Sequence, residues 1–339
     1  MKPDTWLGTQ RVGARLQQPW VRKLLLAGIP LLVVGLMGVL IWRNFASIVA
    51  FPWRLHAGYI GLALLFHSLA LWVTFWVWHL MLRALGNFGQ LAANLRFYYV
   101  STLAKRLPTG LPYVGGRLFL YKQMRVSGAA VLNCIFLENL LIGTAGVLFF
   151  VALLPIYTMP VAPWVRLGLV GLGIGLVAAL LLRSGFAVEF TNWVLGRLGK
   201  TGLDRAPTRR EMFTWIGLYV LPWPLAALSL YYAARGFSTS IAISIPDAMM
   251  ISTLATLVTL LNFIIPAGLG LKEITLAALL APWMPLPTAI VFSLIYRLLH
   301  TLNDIVWALL ALLIPVSAPV PVPGENTHTS TPELGDERR

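Results

Sequence analysis

Runs of apolar residues alternate with short polar segments along most of this 339-residue chain. A helix needs about 20 apolar residues to cross a bilayer, and full spans are predicted at about 24–42, 57–82, 129–153, 164–182, 212–234 and 288–314. Two further stretches do not fit that series. Residues 247–280 are apolar enough for the membrane, yet they must begin and end on one side if spans five and six are to keep their directions. Residues 91–125 meet the same constraint between spans two and three. Each is predicted to form a re-entrant helical hairpin. The expected fold class is all-α, a polytopic integral membrane protein of about six full transmembrane helices plus two re-entrant hairpins. It divides into a cytoplasmic N-terminal segment at 1–23, a membrane domain at 24–314 and a tail at 315–339, too polar and proline-rich to bury a core and expected to be disordered.

The two hairpins resemble one another. RLPTGL at 106–111 and IIPAGL at 264–269 share the form apolar-Pro-small-Gly-Leu. Asn94, Tyr98, Ser101 and Lys105 stand 14, 10, 7 and 3 residues before Pro108, which puts them on one helical face. Ser252, Thr256, Thr259 and Phe263 stand at the same distances before Pro266, and only the last is not polar. About 30 residues beyond each proline an ionisable residue falls inside a span, Glu138 after the first and Arg297 after the second; strict offset aligns Glu138 with Tyr296, a slip of one. An odd number of spans separates the hairpins, so the second unit is expected to enter from the face opposite the first. That is the pattern of an inverted repeat, in which broken helices meet at a central site. The breaks are predicted at Pro108, Gly110, Gly115 and Gly116, and at Pro266, Gly268 and Gly270. Proline removes a donor and glycine permits a turn, and the freed backbone groups need protein or a watery cavity around them. The competing reading is a pair of ordinary proline kinks.

Composition agrees with a membrane protein, with 58% hydrophobic and 11% charged residues. The formal charge of +14 raises nucleic acid as a partner, but the cations lie between apolar spans and no soluble basic domain holds them. Topology accounts for them instead. With the N-terminus inside, the inner segments hold 20 of the 26 Lys and Arg residues; the outer ones hold only Arg43, Arg54, Arg166, Arg235 and Lys272, and Arg297 is intramembrane. The positive-inside bias therefore places both termini in the cytoplasm of a cell (plasma or inner) membrane. Trp20, Trp42, Trp53, Trp164 and Trp283 fall near span ends, as interfacial anchors do. The apolar run after the basic first 23 residues is too long for a secretory signal, so an uncleaved first span is expected. The lone Cys134 excludes an internal disulfide or a cysteine-based metal site.

Ionisable side chains in a bilayer cost several kcal/mol and usually face the bundle interior. The candidates are Glu138, Glu273, Arg297 and Asp304. Arg297, His300 and Asp304 are spaced i, i+3, i+7 and form one stripe on the last span. An arginine there suits a phosphate bidentately, and Asp304 can hold His300 or pair with a cation on another helix; the alternative is an internal salt bridge that only orders the bundle. Lys105, Arg106 and Arg117 bracket the first break, and Lys272 and Glu273 flank the second. The first group suits a phosphate oxyanion, against snorkelling to the cytoplasmic face as the alternative; the second pair also reads as simple interface charges. Residues 186–199 place Phe186, Phe190, Trp193 and Val194 on one face, followed by Arg197 and Lys200, and are expected to lie along the cytoplasmic interface. GLGIG at 171–175 lies inside an apolar span, which favours helix packing over a nucleotide loop. His67 and His79 have no acidic neighbour on their span and read as structural. No metalloprotease, hydrolase, Walker or EF-hand pattern occurs, so no cofactor, metal or ATP-driven step is expected.

With those residues in view, the chain resembles the lysylphosphatidylglycerol synthase transmembrane-region family, the membrane half of the bacterial multiple peptide resistance factor, which also occurs as stand-alone proteins. The resemblance runs over about residues 20–314 and is carried by LAKRLPTGLPYVGGRLFL (103–120), the glutamate in IFLENLL (135–141), IPAGLGLKE (265–273) and YRLLH (296–300). The family more often shows Lys-Tyr-x-Pro-Gly at the first break and Pro-Gly-Gly-x-Gly-x-Arg-Glu at the second. Here Thr109 and Ala267 precede the glycines, and Lys272 replaces the usual arginine. The resemblance implies a flippase-like fold of two inverted units around a cavity. The soluble aminoacyl-transferase half has no counterpart here, so lysyl-lipid synthesis is not expected.

The function expected is translocation of a phosphate-bearing amphiphile, whether phospholipid, aminoacyl-phospholipid or polyisoprenoid-linked precursor. Lys105, Arg106, Arg117 and Arg297 would steer the headgroup, with Glu138, Glu273 and Asp304 pairing with them and Lys272 and His300 as further substrate-binding candidates. The chain is expected to be a transporter and not an enzyme, with membrane lipids as partners and no nucleic acid. Two rivals stand beside it: a membrane-embedded transferase using an intramembrane carboxylate as base, and a non-catalytic partner that anchors a lipid-modifying enzyme or glycosyltransferase through the basic 183–210 loop.

Overall fold

The structure, a computed structural model, describes residues 35, 38, 39, 41–86, 88–106, 111–154, 163–197, 202–203, 205–260 and 270–316. Every regular element among them is helical: α1 (Phe45–Ala50), α2 (Ala57–Gly86), α3 (Leu91–Leu103) with a 3-10 turn at Ala104–Arg106, α4 (Leu111–Lys122), α5 (Gly128–Leu153), α6 (Pro163–Leu182), α7 (Phe186–Arg197), α8 (Arg209–Val220), α9 (Pro222–Phe237), α10 (Ile245–Leu260), α11 (Leu271–Leu280) and α12 (Leu286–Leu312). The protein is an all-helical polytopic membrane protein. By length and apolarity α2, α5, α12 and the combined Arg209–Phe237 segment can each cross a bilayer. These are predicted spans two, three, six and five, and α6 forms over the fourth. The first, near 24–42, lies almost wholly outside the described residues.

Span five differs from the expected single helix. Pro222 offers no N–H to the preceding turn, so α8 stops at Val220 and α9 starts with proline in its first turn, joined through Leu221, whose amide still donates to Leu218 O at 3.2 Å. The start of α8 is sharply defined. Thr208 Oγ1 accepts from the Glu211 amide at 3.2 Å while Glu211 Oε2 accepts from the Thr208 amide at 2.8 Å, a capping box.

Helices α2 and α9 run antiparallel in close contact. His56 N donates to Gly236 O at 2.8 Å, Arg54 N to Phe237 O at 2.9 Å, and Ser229 Oγ to Ala63 O at 2.8 Å. A β-carbon on Gly236 would stand 2.7 Å from Ile60 Cγ1 and 3.2 Å from the Ile60 amide nitrogen, so the approach needs glycine. Helix pair α3–α4 follows the C-terminal end of α2, and pair α10–α11 follows that of α9. Because α2 and α9 are antiparallel, the pairs begin at opposite ends of the bundle.

Within the first pair Tyr121 meets Asn94, and Arg117 Nε donates to Ser101 Oγ at 3.1 Å, which makes the arms antiparallel. Arms of 13, 12, 16 and 10 residues reach only about 20, 18, 24 and 15 Å at 1.5 Å per residue. A bilayer core is about 30 Å thick. No arm crosses by itself. The tips at 107–110 and 261–269, which carry Pro108, Gly110, Pro266 and Gly268, lie outside the described residues.

The packing repeats in the two halves. Helix α3 packs on α4 as α10 does on α11, α4 on α5 as α11 on α12, and α3 on α12 as α10 on α5. Two cores follow, one around Phe75, Trp78, Tyr121, Leu137 and Tyr219, the other around Leu230, Ile251, Leu276 and Phe292. On α12 the exposed Leu298, Leu302, Val306 and Leu309 recur at helical spacing and form the outward face. On α7, Phe186, Phe190 and Trp193 are exposed while Ala187, Val188, Thr191 and Leu195 are buried, which is the amphipathic pattern expected there.

Candidate functional site

The first hairpin converges on a carboxylate. Glu138 lies mid-way along α5, and its Oε2 accepts from Arg117 Nη1 and from the Tyr113 hydroxyl, both at 2.6 Å; its Oε1 accepts from Lys105 Nζ at 3.0 Å. The Arg117 guanidinium also sits over the rings of Trp78 at 3.8 Å, Tyr113 at 4.5 Å and Tyr98 at 4.7 Å. It is wholly buried, whereas the Lys105 side chain is 38% exposed. An arginine tolerates this burial because a carboxylate and three π faces replace its water. The predicted stripe Asn94, Tyr98, Ser101 and Lys105 does face the α4–α5 side: the first three are buried, Ser101 receives Arg117, and Lys105 reaches Glu138. Asn94 ties Trp78, Tyr121 and His79 into one network, with Trp78 Nε1 donating to the Tyr121 hydroxyl at 2.8 Å and Asn94 Nδ2 standing 2.7 Å from His79 Nδ1.

The second hairpin is anchored in a parallel way. Arg297 Nη1 of α12 donates to Glu273 Oε1 of α11 at 2.6 Å, and Glu273 Oε2 accepts the Gly270 amide at 3.0 Å. Gly270 has φ of 100°, which a residue with a β-carbon adopts only with strain. Of the predicted break glycines, Gly115 and Gly116 instead lie inside α4, with open space around their missing β-carbons.

Between the halves lies a cavity of about 170 Å³, bounded by α2, α5 and α9 to α12. Its polar wall is made by His67, Thr74, Ser252, Thr256, Lys272, Tyr296 and His300. The imidazoles of His67 and His300 stack at 3.7 Å between centroids with 14° between planes. His67 Nε2 lies 2.9 Å from Asp304 Oδ1, His300 Nε2 lies 3.0 Å from Ser229 Oγ, and the Tyr296 ring stands 4.1 Å from that of His300. Trp223 closes another side, and Gly146 admits it: a β-carbon there would lie 2.2 Å from the indole Cζ2.

The candidates therefore separate. Lys272 and His300 line the cavity. Arg117, Glu138, Lys105, Glu273 and Arg297 form ion pairs that fasten each hairpin to the span after it. Asp304 does pair with a basic group on another helix. Arg106 ends the 3-10 turn, and its side chain lies outside the described residues. His67, read from its own span as structural, has an acidic neighbour on α12, 237 positions away. Tyr113, Trp78 and Ser229 carried no polar periodicity to reveal them.

In comparisons with known proteins, the family model for the lysylphosphatidylglycerol synthase TM region matches residues 23–308. The search of curated proteins found no match.

Proposed function

The chain belongs to the lysylphosphatidylglycerol synthase TM region family, and from that membership we propose that it translocates a phosphate-bearing amphiphile across a cell membrane. In this reading both termini are cytoplasmic, the two helix pairs re-enter the bilayer from opposite faces as an inverted repeat, and the headgroup occupies the cavity beside the second pair while the acyl chains stay in lipid. The observation that carries it is the cavity itself. The second helix pair lines it together with the spans α2, α5, α9 and α12, and Lys272, His67 and His300 place basic groups in an otherwise largely apolar wall. Lys105 and Arg106 stand at the first break, where they guide the anion in, and the buried pairs keep the hairpins in place.

Reconstitution into phosphatidylcholine vesicles with fluorescently tagged phosphatidylglycerol tests this, using dithionite to read outer-leaflet lipid. Protein-dependent exchange of the tagged lipid is expected, and Lys272→Gln is expected to slow it roughly tenfold, the effect of losing one charged hydrogen bond. No protein-dependent exchange of any anionic lipid would overturn the proposal. One observation favours a second reading. The His67–Asp304 pair on the cavity wall has the geometry of an oriented general base, which a lipid transferase would use. A mass change in polyisoprenoid or phospholipid substrates incubated with pure protein would select it.

A further inference from the structure

We propose that the outer face of α7 is a docking surface for anionic phospholipid, with the phosphate held by Arg197 and the rings beside it seated where headgroups meet acyl chains. This surface is separate from the cavity, and it does not depend on the translocation proposal.

Helix α7 exposes one stripe. Phe186, Phe190, Trp193 and Arg197 stand at i, i+4, i+7 and i+11, with Arg183 three residues before the first. The rings form a ladder: Phe186 and Phe190 have centroids 6.3 Å apart and Phe190 and Trp193 6.0 Å, with 25° and 27° between planes, and the Arg197 guanidinium caps it 4.2 Å from the Trp193 ring. The other side of the helix is engaged. Ala187, Val188, Thr191 and Leu195 are buried, and Asn192 exchanges two hydrogen bonds with the Leu203 backbone, both of 2.8 Å. The helix therefore cannot roll to hide the row without breaking these contacts. Trp193 is 53% exposed, and a contiguous aromatic face of this kind marks a surface that something else covers.

Its position says what covers it. The chain passes from α6 to α7 in a single turn, with Arg183 N donating to Ala179 O at 3.0 Å and Phe186 N to Arg183 O at 2.9 Å. Phe190 also stacks on Phe136 of α5, at 5.0 Å and 26°. The 26 residues of α5 reach about 39 Å against a hydrocarbon core of about 30 Å, so each end stands a few ångströms among the headgroups. Phe136 lies about 12 Å along that helix from its start at Gly128. The ladder beside it sits at the edge of the acyl layer, the depth at which an interfacial helix places its aromatic face. A soluble partner would have to pass below the headgroups to reach it.

Charge then selects the lipid. Glu189 answers Arg183 at 3.3 Å, whereas Arg197 is exposed and meets no carboxylate among the described residues. Stacking on the indole covers one face of the guanidinium and leaves its in-plane N–H groups for an acceptor, which a phosphodiester supplies with two oxygens. In phosphatidylcholine the choline already neutralises that phosphate. Phosphatidylglycerol is therefore favoured at this point, by about fivefold for one arginine near the surface.

The test uses the full chain in phosphatidylcholine nanodiscs that carry a small fixed fraction of either dibrominated phosphatidylglycerol or dibrominated phosphatidylcholine, whose bromines quench tryptophan on contact. Subtracting Trp193→Phe from the unsubstituted protein isolates Trp193, and the cavity tryptophan Trp223 drops out because both chains carry it. Quenching of the Trp193 share is expected to report about fivefold more phosphatidylglycerol than phosphatidylcholine at equal fraction, and Arg197→Gln is expected to bring the two level. No quenching of that share by either lipid overturns the proposal, because the stripe then faces water or protein. Equal quenching by both overturns it too, as does a preference that survives Arg197→Gln. Dithionite-read exchange through the cavity can succeed or fail under any of these outcomes.

Discussion

The two hairpins are held by the same bond with its charges exchanged. In the first unit the hairpin supplies the arginine, Arg117, and the next span the carboxylate, Glu138; in the second the hairpin supplies Glu273 and the span Arg297. The surroundings differ more than the bond. Arg117 is 0% exposed under three aromatic rings and shares Glu138 with Tyr113 and Lys105, while Arg297 is 28% exposed and shares Glu273 with the Gly270 amide. Burial raises the cost of separating charges. The first hairpin is therefore the more deeply anchored of the two, and the cavity is lined by the second, with Lys272, next to Glu273, in its lining.

Glu138→Gln gives the strongest test of that asymmetry. It leaves the Arg117 guanidinium buried without its counter-charge, and thermal unfolding in detergent is expected to show a loss of about 3–5 kcal/mol. Replacing the pair together, Arg117→Met with Glu138→Leu, is expected to recover most of it. Gly146→Ala comes next. Its β-carbon would lie 2.2 Å from the Trp223 ring that joins α5 to the cavity, so a cost of about 1–3 kcal/mol is expected, with a shift in tryptophan emission. Arg297→Gln is expected to cost only about 1–2 kcal/mol in the same assay, because that guanidinium is less deeply buried and the Gly270 amide still holds Glu273. Equal losses for Glu138→Gln and Arg297→Gln would remove the distinction between the two anchors. Arg183→Gln sets the floor: its pair with Glu189, at 3.3 Å and 72% and 59% exposed, is expected to change stability by less than about 0.5 kcal/mol.

Hydropathy made most of the fold readable, since a bilayer demands long apolar helices and four of the predicted spans appear as such in the structure. The polar stripe from Asn94 to Lys105 was readable too, because periodicity on one helix reports a shared face. Periodicity says nothing about partners on other helices. That is why His67 looked structural until Asp304 arrived from α12, and why Glu138 showed its charge but not its three donors. The bend at Leu221 was signalled by Pro222 and hidden by the unbroken apolarity around it. The slip of one between Glu138 and Arg297 has a physical sense: what the two units keep is the contact between hairpin and span, and either residue of the pair can sit on either side of it.

Helix α3 lies against α12, with Arg96 Nη1 bound to Ile314 O at 3.4 Å and the Tyr99 and Trp307 rings 5.6 Å apart. During synthesis, then, the first hairpin leaves the ribosome long before the surface it rests on exists. The outer face of α3 stays uncovered until the last helix is delivered. A stalled or shortened chain ending before residue 286 would be expected to fall to quality-control proteases as a whole, and not to survive as half a protein.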